Sequence, residues 1–171
     1  MTGEHLAATP QLADRAERHY AAIPATVTMS SLASVIDQAF PEVFGYLAGR
    51  GIAPAAPPFI RYLVIDMEHD LRVEIGVPTA APVAGGGRVR PGVLPAGRYA
   101  VLRHTGPYDR LVASNGALQD WAREHGVTLD CWQTPAGLAW RSRVEHYLTD
   151  PSAEPDPARW QVDVAYLTSG S

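Results

Sequence analysis

Val27-Thr28-Met29-Ser30-Ser31-Leu32 opens an amphipathic run that closes at Gly51-Ile52. Val101-Leu102-Arg103-His104-Thr105-Gly106-Pro107 opens a second run that closes at Gly126-Val127. The interval between the closing glycines also superposes Tyr46 on Trp121 and Val27 on Leu102. Each run leads through an aromatic-bearing segment to an alternating strand, Arg72–Val77 in the first case and Gln161–Leu167 in the second. The chain therefore reads as two copies of one strand-helix-strand-strand unit. Units this small cannot each bury a full core, so they are expected to pack on one another with a ligand cleft at their junction.

Working outward, Leu32, Val35, Ile36, Ala39, Val43, Tyr46 and Leu47 recur at spacings of three and four, the mark of a helix. Ser30 or Ser31 is expected to cap it, Gly49 or Gly51 to stop it, and Pro41 to kink or restart it. The second helix is expected from about Tyr108 to His125, with Tyr108, Leu111, Val112, Leu118, Trp121 and Ala122 inward. Pro107 and Gly126 punctuate its ends. Strands are expected at 19–29, 59–65, 72–77, 89–94, 98–104, 139–148 and 161–168, with a Pro95-Ala96-Gly97 turn between the fourth and fifth. Residues 11–18 fit either a helical turn or an edge strand, and residues 1 to about 9 read as a weakly ordered lead-in. The result is one α+β domain over 1–171: a βαββ unit at about 10–79, a linker at about 80–88 around Gly85-Gly86-Gly87, and a second unit at about 89–168.

At 171 residues the chain is long enough to bury about 70% of the surface exposed by its unfolded form. A net charge of −4 with no Lys/Arg stripe argues against a nucleic-acid partner. The lone Cys131 rules out a disulfide framework. No apolar run approaches the roughly 20 residues of a membrane span, and no signal peptide is apparent, so a cytoplasmic setting is expected. His69 among Asp66, Glu68 and Asp70 has no second histidine at ligand spacing, and a solvated turn is expected rather than a metal site. Cys131 lacks a cationic neighbour and reads as structural.

Two sets of motifs carry a family resemblance. Gly97-Arg98-Tyr99-Ala100-Val101-Leu102-Arg103-His104-Thr105-Gly106-Pro107-Tyr108, then Val144-Glu145-His146-Tyr147-Leu148-Thr149-Asp150-Pro151, form the first. Tyr20–Pro24, Met29–Leu32 and Val73–Pro78 form the second. In order and spacing they resemble the GyrI-like small-molecule-binding domain, the effector-binding module of AraC- and MerR-type regulators, over about residues 10–168. That resemblance implies two βαββ units packed as a pseudo-two-fold pair. It also implies a pocket for bulky, often cationic, aromatic compounds, with a buried glutamate, here Glu145, pairing with the ligand's charge. No helix-turn-helix is read in the chain, so a stand-alone member is expected.

Alternation sets Arg143, Glu145 and Tyr147 on one strand face. Taken alone, that pattern favours a surface glutamate paired with Arg143; the family resemblance is what turns the reading toward a ligand-pairing residue. Tyr62 and Tyr147 hold equivalent places in the two units, and Trp140, Trp132 and Tyr108 are further aromatic candidates. Ring faces attract a cation by about 0.5 to 2 kcal/mol each. Glu74 is a possible second anionic wall, whereas its counterpart Asp163 reads as a solvated residue. The leading expectation is a binding protein for bulky hydrophobic, cationic aromatic molecules, without cofactor or metal. The alternative is a hydrolase of cyclopropane-bearing natural products in which Glu145 acts as acid or base, as in some GyrI-like proteins. A third reading is a protein partner such as a topoisomerase. No concentrated acidic patch beyond Asp66–Asp70 supports it.

Overall fold

Both helices close by the same device. In the computed structural model, which describes residues 9–169, α1 spans Leu32–Gly49 and α2 spans Leu111–Glu124. The N–H of Ile52 returns to the Leu47 carbonyl at 2.9 Å, and that of Val127 to the Ala122 carbonyl at 2.8 Å. Gly51 and Gly126, each at φ +69°, take the left-handed position this closure needs. Pro41 does not interrupt α1, which runs through it with the ring on the solvent side. Ser31 stands at the N-cap, but its hydroxyl accepts from the Thr28 N–H behind it at 2.9 Å, not from a helix amide. A 3-10 turn over Tyr108–Arg110 leads into α2. Of the lead-in expected over residues 1 to about 9, residues 1–8 lie outside the described residues.

The strands are β1 (Gln11–Arg15), β2 (Arg18–Val27), β3 (Phe59–Ile65), β4 (Leu71–Thr79), β5 (Arg90–Leu94), β6 (Gly97–Thr105), β7 (Cys131–Thr134), β8 (Gly137–Trp140), β9 (Arg143–Tyr147) and β10 (Gln161–Leu167). They form one curled antiparallel sheet ordered β1-β6-β10-β9-β3-β4-β2-β5, with the β7–β8 hairpin joined to β3 through β8. The central order is mirrored about the β9–β3 pair. β2-α1-β3-β4 lies on one side and β6-α2-β9-β10 on the other, the α+β pattern expected of paired βαββ units.

Residues 11–15 are an edge strand and not a helical turn. The outer strands are exchanged: β1 precedes β2 in the chain but pairs with β6, and β5 precedes β6 but pairs with β2. β5 covers β2 only from Arg18 to Ala22, so Pro24 falls on the open stretch where a missing N–H costs no ladder bond. The strand expected at 139–148 breaks at Arg141-Ser142. β8 pairs with Val64 and Ile65, β9 with Phe59 to Arg61, and β3 carries an irregularity between Tyr62 and Val64.

The helices share one face of the sheet. α1 packs Ala39, Val43 and Leu47 against Ile23, Ile60, Val73 and Ile75. α2 packs Leu111 and Leu118 against Leu102, Trp140, Val164 and Tyr166. Tyr147 and Ile65 touch both clusters and join them at the midline. The opposite face carries a separate core of Tyr20, Ala22, Phe59, Leu94 and Val144.

Candidate functional site: a buried carboxylate between two helices

β3 and β9 meet at the midline with Ile60 opposite Glu145. Both are buried; Glu145 is 5% exposed. Burying a carboxylate is costly unless its oxygens are satisfied, and here three donors converge on it. The Tyr62 hydroxyl donates to Oε1 at 3.0 Å and the Tyr147 hydroxyl to the same oxygen at 2.6 Å. Asn115 Nδ2 donates to Oε2 at 2.9 Å. An ionised carboxylate only accepts hydrogen bonds, which suits this set of donors. Burial, reinforced by the nearby Glu145 charge, holds the Tyr62 and Tyr147 phenols well above their ordinary range, so both remain donors. Among the described residues Glu145 forms no ion pair.

The surroundings are aromatic. The Tyr147 ring lies 5.5 Å from that of Tyr108, and 6.3 Å from that of Phe40 on α1. Tyr108 packs on Trp160 at 4.7 Å. On the α2 side, Asn115 Oδ1 accepts from the Tyr166 hydroxyl and from Arg143 Nη2 at 3.3 Å. The Arg143 guanidinium lies 4.8 Å from the ring centre of Trp140, 4.9 Å from Tyr166 and 5.7 Å from Tyr62. Alternation along β9 thus brings Arg143, Glu145 and Tyr147 to the helix-bearing face, and that face is interior, not solvated.

Of the residues singled out in the sequence, Glu145, Tyr147, Tyr62 and Tyr108 come together, and Trp140 joins them through Arg143. Two do not. Trp132 is 46% exposed on the β7–β8 hairpin beneath Arg141. Glu74 lies on the opposite face, where it accepts from the Tyr20 hydroxyl and sits 3.9 Å from Arg61; alternation along β4 turns it away from the helices. Asp163, its counterpart, is clasped by Arg103 at 2.7 and 3.0 Å.

Asn115, Tyr166 and Phe40 were not anticipated. Asn115 has a legible signal: it falls in the inward stripe Leu111-Asn115-Leu118-Ala122, where a polar residue needs a partner. Val112, expected inward, is 62% exposed.

A cleft of about 540 Å³ opens on the opposite face, lined in part by Arg15, Arg18, Tyr99, His146 and Asp163. We place the candidate site at Glu145 because there a buried carboxylate has no direct ion pair among the described residues, whereas the cleft's Asp163 is clasped by Arg103. His69 bonds Asp66 at 3.0 Å in an exposed turn. No group of metal-ligating residues occurs among the described residues, and no described helix is long and apolar enough to cross a membrane. Burial raises the Cys131 thiol, disfavouring a reactive thiolate.

The model of the GyrI-like small molecule binding domain matches residues 8–165, and the chain belongs to that family. Among curated proteins, none matches the sequence. The C-terminal domain of EcmrR is similar in fold at 19% identity, with a TM-score of 0.77, covering 96% of this chain and 99% of that one. In an EcmrR–DNA complex the TM-score is 0.78 at 20% identity, covering 95% of this chain, which spans 58% of the EcmrR chain. SAV2435 bound to tetraphenylphosphonium has a TM-score of 0.64 at 12% identity, covering 95% of this chain and 94% of that one. At these identities the likeness is one of fold.

Proposed function

We propose that this chain binds bulky, hydrophobic, cationic aromatic molecules between its two helical halves, with Glu145 as the counter-charge. The observation that carries this reading is a buried carboxylate held by hydroxyl and amide donors, ringed by aromatic side chains and lacking a cation in direct contact. A cation supplied by a ligand would turn an expensive buried charge into a neutral pair, and ring faces would add attraction from the sides. The phosphonium bound by SAV2435 belongs to this chemical class.

A second reading is hydrolysis at the same carboxylate. A chain of similar fold, 12% identical, is a hydrolase from Listeria innocua. Glu145 beside two phenols has the groups to guide a water or a proton. Equilibrium dialysis of tetraphenylphosphonium and neutral triphenylphosphine oxide against wild type and Glu145→Gln separates these readings. Charge pairing predicts at least tenfold weaker phosphonium binding in the variant, with the neutral compound within about twofold. Equal loss of both refutes it. A cyclopropane-bearing alkylator recovered with one added water would establish hydrolysis instead.

A further inference from the structure

Arg143 already sits where a cationic ligand would. Its guanidinium faces three rings, those of Trp140, Tyr166 and Tyr62, and reaches Glu145 only through Asn115. The seat fits a guanidinium poorly. Among the described residues Arg143 Nε is buried without a hydrogen-bond partner, and the one acceptor bonded to the side chain is Asn115 Oδ1 at 3.3 Å. A buried N–H donor without a partner is unfavourable, whereas a cation that carries no N–H has nothing to leave unsatisfied.

We infer that Arg143 is a resident stand-in for the ligand, and that the box of Trp140, Tyr166 and Tyr62 selects lipophilic cations without N–H donors, which bind by displacing Arg143. This rests on the reading of Glu145 as the counter-charge. Two cations cannot share a low-dielectric box beside one carboxylate without strong repulsion. Arg143 is half-buried at the start of β9, between the rings and the edge of the core. It therefore competes with every incoming cation and sets the affinity and the selectivity of the site.

The test is titration calorimetry with tetraphenylphosphonium, and with triphenylphosphine oxide as the neutral comparison. Wild type, Arg143→Met, Glu145→Gln and the double variant are compared. Removing the competitor is expected to tighten phosphonium binding at least tenfold, to change the neutral compound less than threefold, and to keep the gain dependent on Glu145. Arg143→Lys checks against misfolding: a more strongly hydrated ammonium suits the rings less, so binding should tighten several-fold. Unchanged or weaker phosphonium binding in the two Arg143 variants, with Glu145→Gln still damaging, overturns the inference and spares the function. Indifference to Glu145→Gln in both backgrounds overturns the function and this inference together.

Discussion

His146 follows Glu145 in the chain and points the other way, into the cleft on the far face of the sheet. Burial, with help from the nearby charge of Arg15, lowers its imidazole to about 4 from an ordinary 6.5. The unfolded chain therefore binds a proton that the folded one refuses between those values, so stability rises with pH through that window. Above it neither state is protonated at this site, and below it both are. From pH 7 to 5.5 the expected loss is on the order of 1 kcal/mol. Urea midpoints measured for wild type and His146→Leu over that range should show the slope in the former and its flattening in the latter. Glu145 was singled out through the family motif, against the surface reading that alternation alone favours, and Tyr62 and Tyr147 through their equivalent places in the two units. Glu74 was not excluded, since composition cannot tell which side of a sheet a residue takes when both sides are buried, and Trp132 was not, since its exposed hairpin left no mark in the sequence. The place of Arg143 was illegible for a related reason: an arginine two positions from a glutamate reads as a surface pair. Only the fold shows three rings beneath it.

Among the elements, β4 has no room for a side chain at Gly76, whereas the helix glycines have it. A Cβ placed on Gly76 would stand 2.7 Å from Phe59 Cζ, directly across the β3–β4 ladder, and Phe59 is wholly buried with no room to retreat. Gly116 in α2 has nothing within 4 Å of the equivalent position. Gly76→Ala is thus expected to cost about 1–3 kcal/mol through overpacking. Gly116→Ala should gain about 0.5–1 kcal/mol through a stiffer unfolded chain and a better helix former. Thermal melts of the two variants, shifted in opposite directions, would bear this out; a stabilised Gly76→Ala would refute the packing argument. Helices and closing strands were legible because their periods of 3.6 and 2 are uninterrupted. The β7–β8 hairpin was not, although Pro135-Ala136-Gly137 repeats the Pro95-Ala96-Gly97 turn that joins β5 to β6. Its strands are only four residues each, too short for alternation to register.

For the whole molecule, the exchange of β1 and β5 matters more than the likeness of the halves. Each half borrows its outer strand from the other, and the two also share the β3–β9 seam. Chains cut in the 80–88 segment are therefore expected to stay largely unfolded alone and to recover native circular dichroism when mixed as a one-to-one complex. Scattering-detected gel filtration would check the stoichiometry, and a stable first half by itself would refute the expectation. The paired units were legible in the sequence because both copies keep the same glycine closures. The exchange was not, because neither edge strand carries a signal of which partner it will take.

That arrangement constrains how the molecule is made on a ribosome. β1 leaves the exit tunnel before its partner β6, which follows only after β2, α1, β3, β4 and β5. β10, the last of the described strands in chain order, belongs in the interior of the sheet between β6 and β9. Until it emerges, the nascent chain presents unpaired strand edges flanked by apolar side chains, the form most open to wrong pairing with a neighbouring polysome product. Inserting a late strand inside a sheet is also slow, because most of the contacts to be made are distant in sequence. Yield in the cell should then track holding chaperones during translation more closely than it tracks the stability of the finished protein.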